Sequence, residues 1–489
     1  MLQNEIYERA RLARDARFDG QFYVGVRSTG IYCRPICPAN APKSENVRFF
    51  PSAAAAGEAG FRPCLRCRPE CAPGTPAWSG TSTTVRRGLR LISNGALDEG
   101  NIENLADRLG VTSRHLRRLF TKHLGASPLA VAHTQRLHFA KRLIDETTLP
   151  MSHVSSAAGY GSIRRFNDAF RKTYGRSPRD LRRAGEESEL SGRTATLTVR
   201  LPYRRPFNWP AFLDFFAARA TPGVEAVNGN TYSRTIISND DHGVVKIRPD
   251  KRDGYLSLTL HCVNTNALFE TVQNAREVFD LDAPIFEIRT ALGKDKALKP
   301  MLRKYPGVRV PGAWDGFEVT IRAILGQQIS VKAATTIAGR IAEKYGERLE
   351  LPGSNIEGGL SHLFPTPERL MRARLQNIGL VRSRAETIRR VSAAVVNGDL
   401  QFDVAQDPEQ FCEALKSIKG VGDWTAQYVA MRALKNPDAF PSSDLGLVKA
   451  IAYPDRVTPK ELTIMAEEWR PWRAYAAMLL WSSLPGSGG

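Results

Sequence analysis

Apolar and polar residues alternate with the period of an α-helix in the middle of the chain. Between residues 101 and 128 the pattern breaks at Gly110-Val111, and Thr112 or Ser113 follows as a polar cap for a second helix. The apolar positions on the two sides of the break are Ile102, Leu105, Leu109, Leu116, Leu119 and Phe120. This arrangement predicts a helix–turn–helix, in which the first helix packs and the second is presented to a partner. The basic side chains on that second helix are Arg114, Arg117 and Arg118.

Residues 151–183 repeat this pattern around a second glycine turn, Gly159-Tyr160-Gly161. The polar side chains that follow the turn are Ser162, Arg164, Arg165 and Asn167. Two such halves predict an all-helical, DNA-binding domain. We expect some of these side chains to reach base edges and the other basic ones to reach phosphates. The candidates for base edges are Arg114, Arg117, Arg164 and Asn167. The alternative is a basic helical bundle without sequence readout.

The pattern changes again after residue 195. An alternating run, LSLTLHC, ends at Cys262 and predicts a strand, and from about residue 287 the spacing becomes helical. Two polar segments read as linkers, 72–84 and 184–195, and a softer change falls at 281–287. These changes divide the chain into four domains. The predicted domain limits are 1–75, 80–184, 193–286 and 287–486.

The chain has 489 residues and a formal net charge of +19, and the positive charge is concentrated. Residues 81–185 contain 19 lysine and arginine residues against eight acidic residues. Such density is typical of a polyanion-binding protein, although a solvated charged face without a partner would look the same. No apolar run approaches the roughly 20 residues that span a bilayer. Residues 1–20 also lack the apolar centre of a signal peptide. We therefore expect a cytoplasmic protein without membrane contact.

Five of the seven cysteines lie in the first 71 residues. The pairs C-x3-C and C-x2-C suit four thiolates that converge tetrahedrally on one Zn²⁺ ion. The expected ligands are Cys33, Cys37, Cys64 and Cys67. Spacing alone would fit a purely architectural zinc knuckle equally well. Cys71 is expected to be a free thiol, and an exchange of Cys71 for Cys67 stays open. Cys262 and Cys412 are expected to be buried small hydrophobes.

The stretch FDGQFYVGVRSTGIYCRPIC…ENVRFF…AGFRPCLRCRPE resembles the zinc domain of the Ada family of adaptive-response proteins over residues 15–70. The resemblance implies that Cys33 is both a zinc ligand and a nucleophile, which takes a methyl group from a DNA methylphosphotriester. Four thiolates on Zn²⁺ carry a formal charge of −2, and methylation of one lowers it to −1. We expect this change to tighten DNA binding.

The repeated helical pattern and its ending, similar to FxxxYGxSPRDLR, resemble the AraC-type DNA-binding module. Ada-type proteins carry this module directly after the zinc domain. The resemblance implies transcriptional regulation through promoter DNA, with RNA polymerase as a further expected partner.

The last third of the chain contains a second glycine-rich motif. In EALKSIKGVGDWTAQYVAMRALKNPDAFPSSD, residues 413–444, a helix leads to Lys419-Gly420-Val421-Gly422 and a second helix begins near Asp423. This helix–hairpin–helix pattern predicts backbone N–H groups directed at a DNA phosphate, with a monovalent cation on the turn carbonyls. The Pro-Cys-His-Arg motif of the alkylguanine transferase found in other Ada proteins is absent. Asp444 ends the loop, and it could simply cap the helix DLGLVKAI.

Residues 195–485 resemble the AlkA-type 3-methyladenine glycosylases, most clearly at 197–225, 317–330 and 470–481. The resemblance implies that Asp444 is the catalytic carboxylate and that aromatic rings hold the flipped, cationic base. The pocket residues it implies are Trp424, Tyr428 and Trp481, although aromatic residues at helical spacing could instead belong to the core. The DNA contacts it implies are Gln327, Gln328, Lys419, Gly420 and Gly422, with Lys416 also facing phosphate.

Two departures from the pattern of the glycosylases refine this expectation. Gln328 stands where the best-known AlkA proteins place a leucine wedge. Trp424 stands where bifunctional relatives have a Schiff-base lysine, so we expect a monofunctional glycosylase. There is no four-cysteine cluster near the C-terminus, and no iron–sulfur centre is expected.

Together these patterns predict a multidomain protein, mainly α with α+β parts. Its units are a zinc-stapled domain, a double helix–turn–helix domain, a mixed α/β subdomain and a helix–hairpin–helix glycosylase bundle. The leading hypothesis is an alkylation-response protein that accepts methyl groups, regulates transcription and excises alkylated purines such as 3-methyladenine and 7-methylguanine. The second is a transcriptional regulator with a non-catalytic glycosylase-like half. The third is a zinc-stapled DNA-binding scaffold in which Cys33 is only structural.

Overall fold

The computed structural model of the chain describes residues 2–73, 83–98, 100–182, 190–191, 194–238, 241–262, 268–351, 358–402, 406–451 and 457–484. Most of the two predicted linkers, 72–84 and 184–195, lies outside these residues. The described part is largely helical and contains two β-sheets, which confirms the predicted multidomain α and α+β architecture. The domain limits themselves stay predictions.

The first unit is a small four-stranded sheet with short helices. Its elements are α1 (Leu2–Leu12), β1 (Tyr23–Val26), β2 (Ile31–Cys33), β3 (Val47–Phe50), α2 (Ala53–Glu58) and β4 (Arg62–Pro63). The strand order is β3-β1-β2-β4, with β4 parallel to β2. Aromatic side chains join α1 to the sheet, since the rings of Tyr7 and Phe22 stack with centroids 4.1 Å apart. Such a small core needs a further staple, which the cysteines supply.

The second unit consists of six helices in the predicted double helix–turn–helix pattern. They are α3 (Thr83–Ser93), α4 (Ile102–Arg108), α5 (Ser113–Leu124), α6 (Pro128–Glu146), α7 (Met151–Ala157) and α8 (Ile163–Tyr174). Thr112 Oγ1 caps α5 by accepting the His115 N–H at 3.3 Å, and Ser162 Oγ caps α8 by accepting the Arg165 N–H at 3.3 Å. The two glycine turns that the sequence predicted therefore precede helices with equivalent caps, α5 and α8.

The third unit is an antiparallel sheet with two packed helices. Its elements are β5 (Leu190–Ser191), β6 (Thr194–Pro202), α9 (Trp209–Ala217), β7 (Glu225–Asn228), β8 (Thr231–Ser238), β9 (Asp241–Pro249), β10 (Tyr255–Cys262) and α10 (Leu268–Val278). The six strands are ordered β5-β6-β10-β9-β8-β7. In β6 and β10, Val199 pairs with Leu258 and Leu201 pairs with Leu256, and all four side chains are buried. Alternate side chains of these strands therefore lie on one face of the sheet, against the helices of this unit.

The fourth unit is a helical bundle. Its helices are α11 (Ile285–Leu292), α12 (Leu298–Lys304), α13 (Gly316–Leu325), α14 (Val331–Tyr345), α15 (Pro367–Met371), α16 (Arg382–Val396), α17 (Pro408–Lys416), α18 (Asp423–Arg432), α19 (Leu445–Ile451), α20 (Pro459–Ala466) and α21 (Arg473–Ser483). Helix α13 is buried along almost its whole length and contacts α14, α16 and α18. It is therefore the centre of the bundle, and the hairpin helices α17 and α18 pack beside it.

Hydrogen bonds also join the units to one another. Arg204 Nη1 of the third unit donates to Asp19 O of the first at 2.7 Å. Arg90 Nη1 of the second unit donates to Leu434 O of the bundle at 2.6 Å. Among the helices that the structure describes, none has both the length and the apolar character needed to cross a membrane.

Candidate active site and zinc centre

Four cysteine side chains converge in the first unit. Cys33 ends β2, Cys37 follows it, and Cys64 and Cys67 come directly after β4, the parallel neighbour of β2. Their sulfur atoms all lie within 4.8 Å of one another. Tetrahedral coordination with Zn–S bonds of ~2.3 Å requires sulfur atoms ~3.8 Å apart, so soft thiolates at this spacing fit Zn²⁺. The predicted zinc site is confirmed at these four clustered cysteines.

Cys71 lies outside this cluster. Its side chain is only 5% exposed, and burial raises the pKa of its thiol to about 11. The cluster contains Cys67, so the alternative in which Cys71 replaces it has no support in the geometry. Cys262 and Cys412 are buried, as expected for small apolar side chains.

The four cysteines of the cluster differ in exposure. Cys64 and Cys67 are 9% and 7% exposed, whereas Cys33 and Cys37 are half-buried. The backbone N–H of Arg34 donates to Cys67 Sγ at 3.3 Å, and Arg34 Nη1 donates to Cys67 O at 3.2 Å. A methyl donor outside the protein therefore reaches Cys33 or Cys37 more readily than the other two thiolates.

The second helices of both helix–turn–helix motifs present their basic side chains to solvent. Leu116 and Phe120 of α5, and Phe166 and Phe170 of α8, are fully buried and fix which face points outward. The exposed side chains are Arg114, Arg117, Arg118, Arg164 and Arg165, and Asn167 is half-buried. The five arginines are thus accessible to DNA, whereas Asn167 lies at the edge of the buried face of α8.

The hairpin between α17 and α18 has the predicted glycine turn. Gly420 adopts φ +100°, and a Cβ there would lie 2.0 Å from Thr387 Oγ1, so a side chain does not fit. Lys419, Gly420 and Gly422 are all exposed. Gly422 is the N-cap of α18, and its neighbouring N–H groups are directed out of the helix end. This geometry suits the approach of a phosphate.

Lys416 pairs with acids of both hairpin helices, and the phosphate-facing role expected for it stays a prediction. Its Nζ lies 2.8 Å from a Glu413 carboxylate oxygen and 3.7 Å from an Asp423 oxygen. The side chain therefore bridges the two hairpin helices.

The two glutamines after α13 have different surroundings. Gln327 Nε2 donates to Gly420 O at 3.2 Å and to Thr425 Oγ1 at 3.0 Å, so its amide braces the hairpin. Gln328 is exposed and adopts φ +58°, a left-handed conformation that is uncommon outside glycine. The backbone here turns Gln328 outward, whereas Gln327 already has internal partners. Of the two predicted DNA contacts, the geometry favours Gln328.

Asp444 lies at the start of α19 and accepts four N–H groups. Its Oδ1 accepts from Trp481 Nε1 at 2.9 Å and from the backbone of Gly446 and Leu447 at 2.8 and 3.1 Å. Its Oδ2 accepts from Trp424 Nε1 at 2.8 Å. Asp444 therefore has the capping role that its sequence position allowed, and its catalytic role stays a prediction. Three donors surround Oδ1 and one contacts Oδ2, so Oδ2 retains room for a further partner.

A cavity of about 760 Å³ opens beside this carboxylate. Its lining includes Asp444 and all three predicted pocket residues, Trp424, Tyr428 and Trp481. The rings of Trp424 and Tyr428 are stacked, with centroids 5.2 Å apart and planes 8° apart. Trp481 meets Tyr428 edge-on at 6.5 Å. The stacked and edge-on aromatic walls suit a flat base.

Arginine side chains form a second part of the cavity wall, which the sequence analysis missed. Arg432 Nη1 donates to the Tyr428 hydroxyl at 2.7 Å, and the Arg219 guanidinium lies 4.1 Å from the ring centroid of Phe215. Burial alone would raise the pKa of Tyr428, but these two guanidinium groups outweigh it and lower that pKa. The spacing of Tyr428 and Arg432, one helical turn apart, allows such a contact but does not show that Arg432 is buried.

Models of known protein families match nearly the whole chain. The metal binding domain of Ada matches residues 7–70, and a helix-turn-helix domain matches 105–184. The AlkA N-terminal domain matches 198–315, and the HhH-GPD superfamily of base excision DNA repair proteins matches 321–474.

Individual proteins agree with these matches. The chain is 40% identical to a probable bifunctional transcriptional activator/DNA repair enzyme AlkA of Mycobacterium tuberculosis, over 97% of this chain and 95% of that protein. The chain belongs to the AlkA family of bifunctional transcriptional activators and DNA repair enzymes. DNA-3-methyladenine glycosylase 2 of Escherichia coli is 34% identical over 58% of this AlkA-family chain and 95% of its own length. A 3-methyladenine DNA-glycosylase from Archaeoglobus fulgidus, 24% identical, shares the fold over 57% of the chain and 96% of its own, with a TM-score of 0.51.

The AlkA-family assignment accounts for the order of the units. The metal-binding and helix-turn-helix models cover the first two units, and the AlkA N-terminal and HhH-GPD models cover the other two. The expected combination of an Ada-type zinc domain, a DNA-binding regulator and a helix–hairpin–helix DNA glycosylase is therefore confirmed for this AlkA-family chain.

Proposed function

We propose that this protein hydrolyses the N-glycosidic bond of alkylated purines in DNA, with Asp444 as the catalytic carboxylate. The observation that supports the proposal best is the placement of Asp444. Two indole N–H groups and two backbone N–H groups hold its carboxylate at the rim of an aromatic cavity of about 760 Å³. The same cavity lies beside a hairpin whose turn suits a DNA phosphate.

The proposed chemistry follows from this arrangement. Alkylation at N3 or N7 makes the purine cationic and a good leaving group, so the enzyme mainly stabilises the positive charge that develops on the sugar. A base that enters the cavity leaves its sugar at the rim, beside Asp444 Oδ2. The fixed carboxylate stabilises the oxocarbenium-like sugar and accepts a proton from the water that captures it.

Asp444→Asn tests this role. An amide cannot supply the negative charge, and we expect release of 3-methyladenine and 7-methylguanine from methylated duplex DNA to fall at least ~100-fold. Asp214→Asn is a matched control, because Asp214 is an exposed acid that lines the same cavity. Wild-type protein that binds DNA and releases no base would instead favour the regulator with a non-catalytic half.

We further propose that the glycosylase is monofunctional and has no lyase step. No lysine is among the described residues that line the cavity. By the resemblance to the glycosylases, Trp424 stands where bifunctional relatives have the Schiff-base lysine. Lys416 is held by Glu413 and Asp423, and Lys419 is exposed on the turn. Borohydride should therefore trap no covalent complex with DNA during base release, and a trapped complex would contradict the proposal.

For the zinc domain, we propose that Cys33 accepts a methyl group from a DNA methylphosphotriester. The half-buried position of Cys33 supports this role over Cys64 and Cys67, which are shielded. Cys37 is half-buried too, and it is the resemblance to the Ada zinc domain that singles out Cys33 from it. The group transferred is CH₃⁺. The S–C bond forms with the thiolate electron pair as the C–O bond to phosphate breaks, and the phosphate keeps the electrons. Peptide mass spectrometry after exposure to such DNA should place a mass increase of ~14 Da on Cys33. An unmodified Cys33 would favour the structural scaffold.

The remaining partners are proposed on the same basis. Residues 85–183 would bind promoter DNA through the exposed side chains of α5 and α8, with RNA polymerase as the protein that the bound regulator recruits. A monovalent cation would assist phosphate binding at the hairpin turn.

A further inference from the structure

The cavity extends inward along helix α18, which contributes Trp424, Tyr428 and Arg432 to its wall. Asp444 lies at the rim, Trp424 contacts it through Nε1, Tyr428 stacks on Trp424, and Arg432 contacts the Tyr428 hydroxyl. The sugar of a flipped nucleotide must stay beside Asp444. A purine is joined to its sugar through N9, so its six-membered ring extends away from the rim. The edge that carries the 6-position therefore meets the end of the cavity formed by Tyr428 and Arg432.

Arg432 holds the Tyr428 hydroxyl in one orientation. The guanidinium donates to the backbone oxygens of Pro311 and Gly312, both at 2.8 Å, and is 4% exposed, so it is firmly anchored. Its third bond, at 2.7 Å, goes to the oxygen of Tyr428. Since the phenol oxygen accepts this bond, its single O–H remains available as a donor. No described residue accepts that O–H.

The charged side chains at the inner end of the cavity are arginines, which donate hydrogen bonds. Arg219 and Arg432 have no carboxylate within ion-pair distance in the described part of the chain. The other arginine of this wall, Arg322, is neutralised by Glu225 and Glu318 at 2.6 and 2.9 Å. One face of the Tyr428 ring is already covered by Trp424, and the Arg432 guanidinium lies 5.5 Å from the ring centroid. Tyr428 thus offers a base its hydroxyl more readily than a free ring face.

We propose that the Tyr428 hydroxyl, positioned by Arg432, donates a hydrogen bond to the 6-oxo oxygen of a flipped purine and so favours 6-oxo over 6-amino purines. A guanine-type base presents a carbonyl acceptor at this position, whereas an adenine-type base presents an amino donor. A donor facing a donor leaves the desolvated hydroxyl unpaired, and such unpaired polar groups are the strongest source of discrimination in binding sites. This inference rests on the proposed glycosylase function.

The test compares two bases released from one methylated DNA preparation, 3-methylguanine and 3-methyladenine. Both are cationic and are methylated at the same atom, and they differ at the 6-position and in the 2-amino group of guanine. Tyr428→Phe keeps the ring and removes only the hydroxyl. We expect the rate constant for 3-methylguanine to fall ~10-fold, which corresponds to one hydrogen bond of ~1.4 kcal/mol, and that for 3-methyladenine to change less than twofold. To separate the 2-amino group, release of hypoxanthine, which has the 6-oxo group alone, should fall in the same way.

Tyr345→Phe is the matched control, because the Tyr345 hydroxyl donates to Arg374 O at 2.9 Å on another part of the bundle. It should leave both rates unchanged. An equal fall in the rate constants for both bases in Tyr428→Phe would show that Tyr428 acts in packing alone and would overturn the proposal. Unchanged release of both would overturn it too. Failure of the proposed function is distinguishable, since wild-type protein would then release neither base.

Discussion

Gln328 is a single exposed side chain in a backbone conformation that most residues avoid. Its φ of +58° turns it away from α13, while Gln327 beside it is tied to Gly420 and Thr425. A residue held in the left-handed region requires support from its surroundings, and such strain is concentrated at functional sites. The neighbouring Arg384 donates to the Gln327 carbonyl and helps to fix this turn. We therefore predict that Gln328 fills the space that the flipped base leaves in the duplex.

Gln328→Ala should lower kcat/KM for a lesion in an intact base pair by about tenfold, because the shortened side chain no longer replaces the lost stacking. The same change should matter much less when the lesion lies opposite an abasic site, since that duplex is already disrupted. Single-turnover kinetics on the two duplexes measures the difference. An equal loss on both would contradict the wedge role.

Residue-level chemistry was predictable from sequence where a motif fixed the residue type. The spacing of the cysteines predicted their cluster, and the glycosylase motif predicted that aromatic residues lie around Asp444. Arg219 and Arg432 were not predicted, since a lone arginine in a helical pattern usually lies on the surface. The bond from Arg432 to Tyr428 depends on three-dimensional packing against Pro311 and Gly312. Gln327 turns inward for a different reason, because its amide meets Gly420 and Thr425 of the hairpin.

The hairpin between α17 and α18 lies beside the cavity and is the element expected to bind the DNA backbone. Its two glycines, Gly420 and Gly422, have different roles. Gly420 is required by the fold, because it has φ +100° and no room for a Cβ beside Thr387. Gly422 has φ −102°, and a Cβ there would meet no atom within 4 Å. The motif was evident in sequence, but which glycine serves the fold could be learned only from the packing of α16 against the turn.

Gly420→Ala should lower the free energy of unfolding by ~1–3 kcal/mol, because the new methyl group meets Thr387 and the left-handed backbone is strained. Gly422→Ala should cost less stability, at most ~1 kcal/mol, because alanine is a poorer N-cap than glycine. It should weaken DNA binding, since its methyl group stands where a phosphate approaches the N-terminus of α18. Urea unfolding and binding to undamaged duplex DNA separate the two effects. A stable Gly420→Ala protein would show that the turn can relax.

At the scale of the whole molecule, a buried polar path connects the zinc domain to the glycosylase half. Arg34 donates to Cys67 and is ion-paired with Asp19, whose carbonyl accepts from Arg204 at 2.7 Å. Arg204 O in turn accepts from Arg309, a residue of the cavity lining. These side chains are all at most 9% exposed. No sequence pattern predicted this path, because it joins residues that are far apart in the chain and of types that usually lie on the surface.

Arg204→Ala should therefore loosen the zinc domain. The buried Asp19 carbonyl loses its donor, at a cost of ~1–3 kcal/mol, and the support that Asp19 gives Arg34 beside Cys67 weakens. We expect a chelator to remove Zn²⁺ several-fold faster from this variant than from the wild type. Arg205→Ala is the matched control, because Arg205 lies next in sequence but pairs with Asp253 on the surface, where both side chains are more than half exposed. Exposed ion pairs contribute little, so its zinc loss should match that of the wild type. Equal zinc loss from all three proteins would mean that the zinc domain keeps its structure without the contact to the glycosylase half.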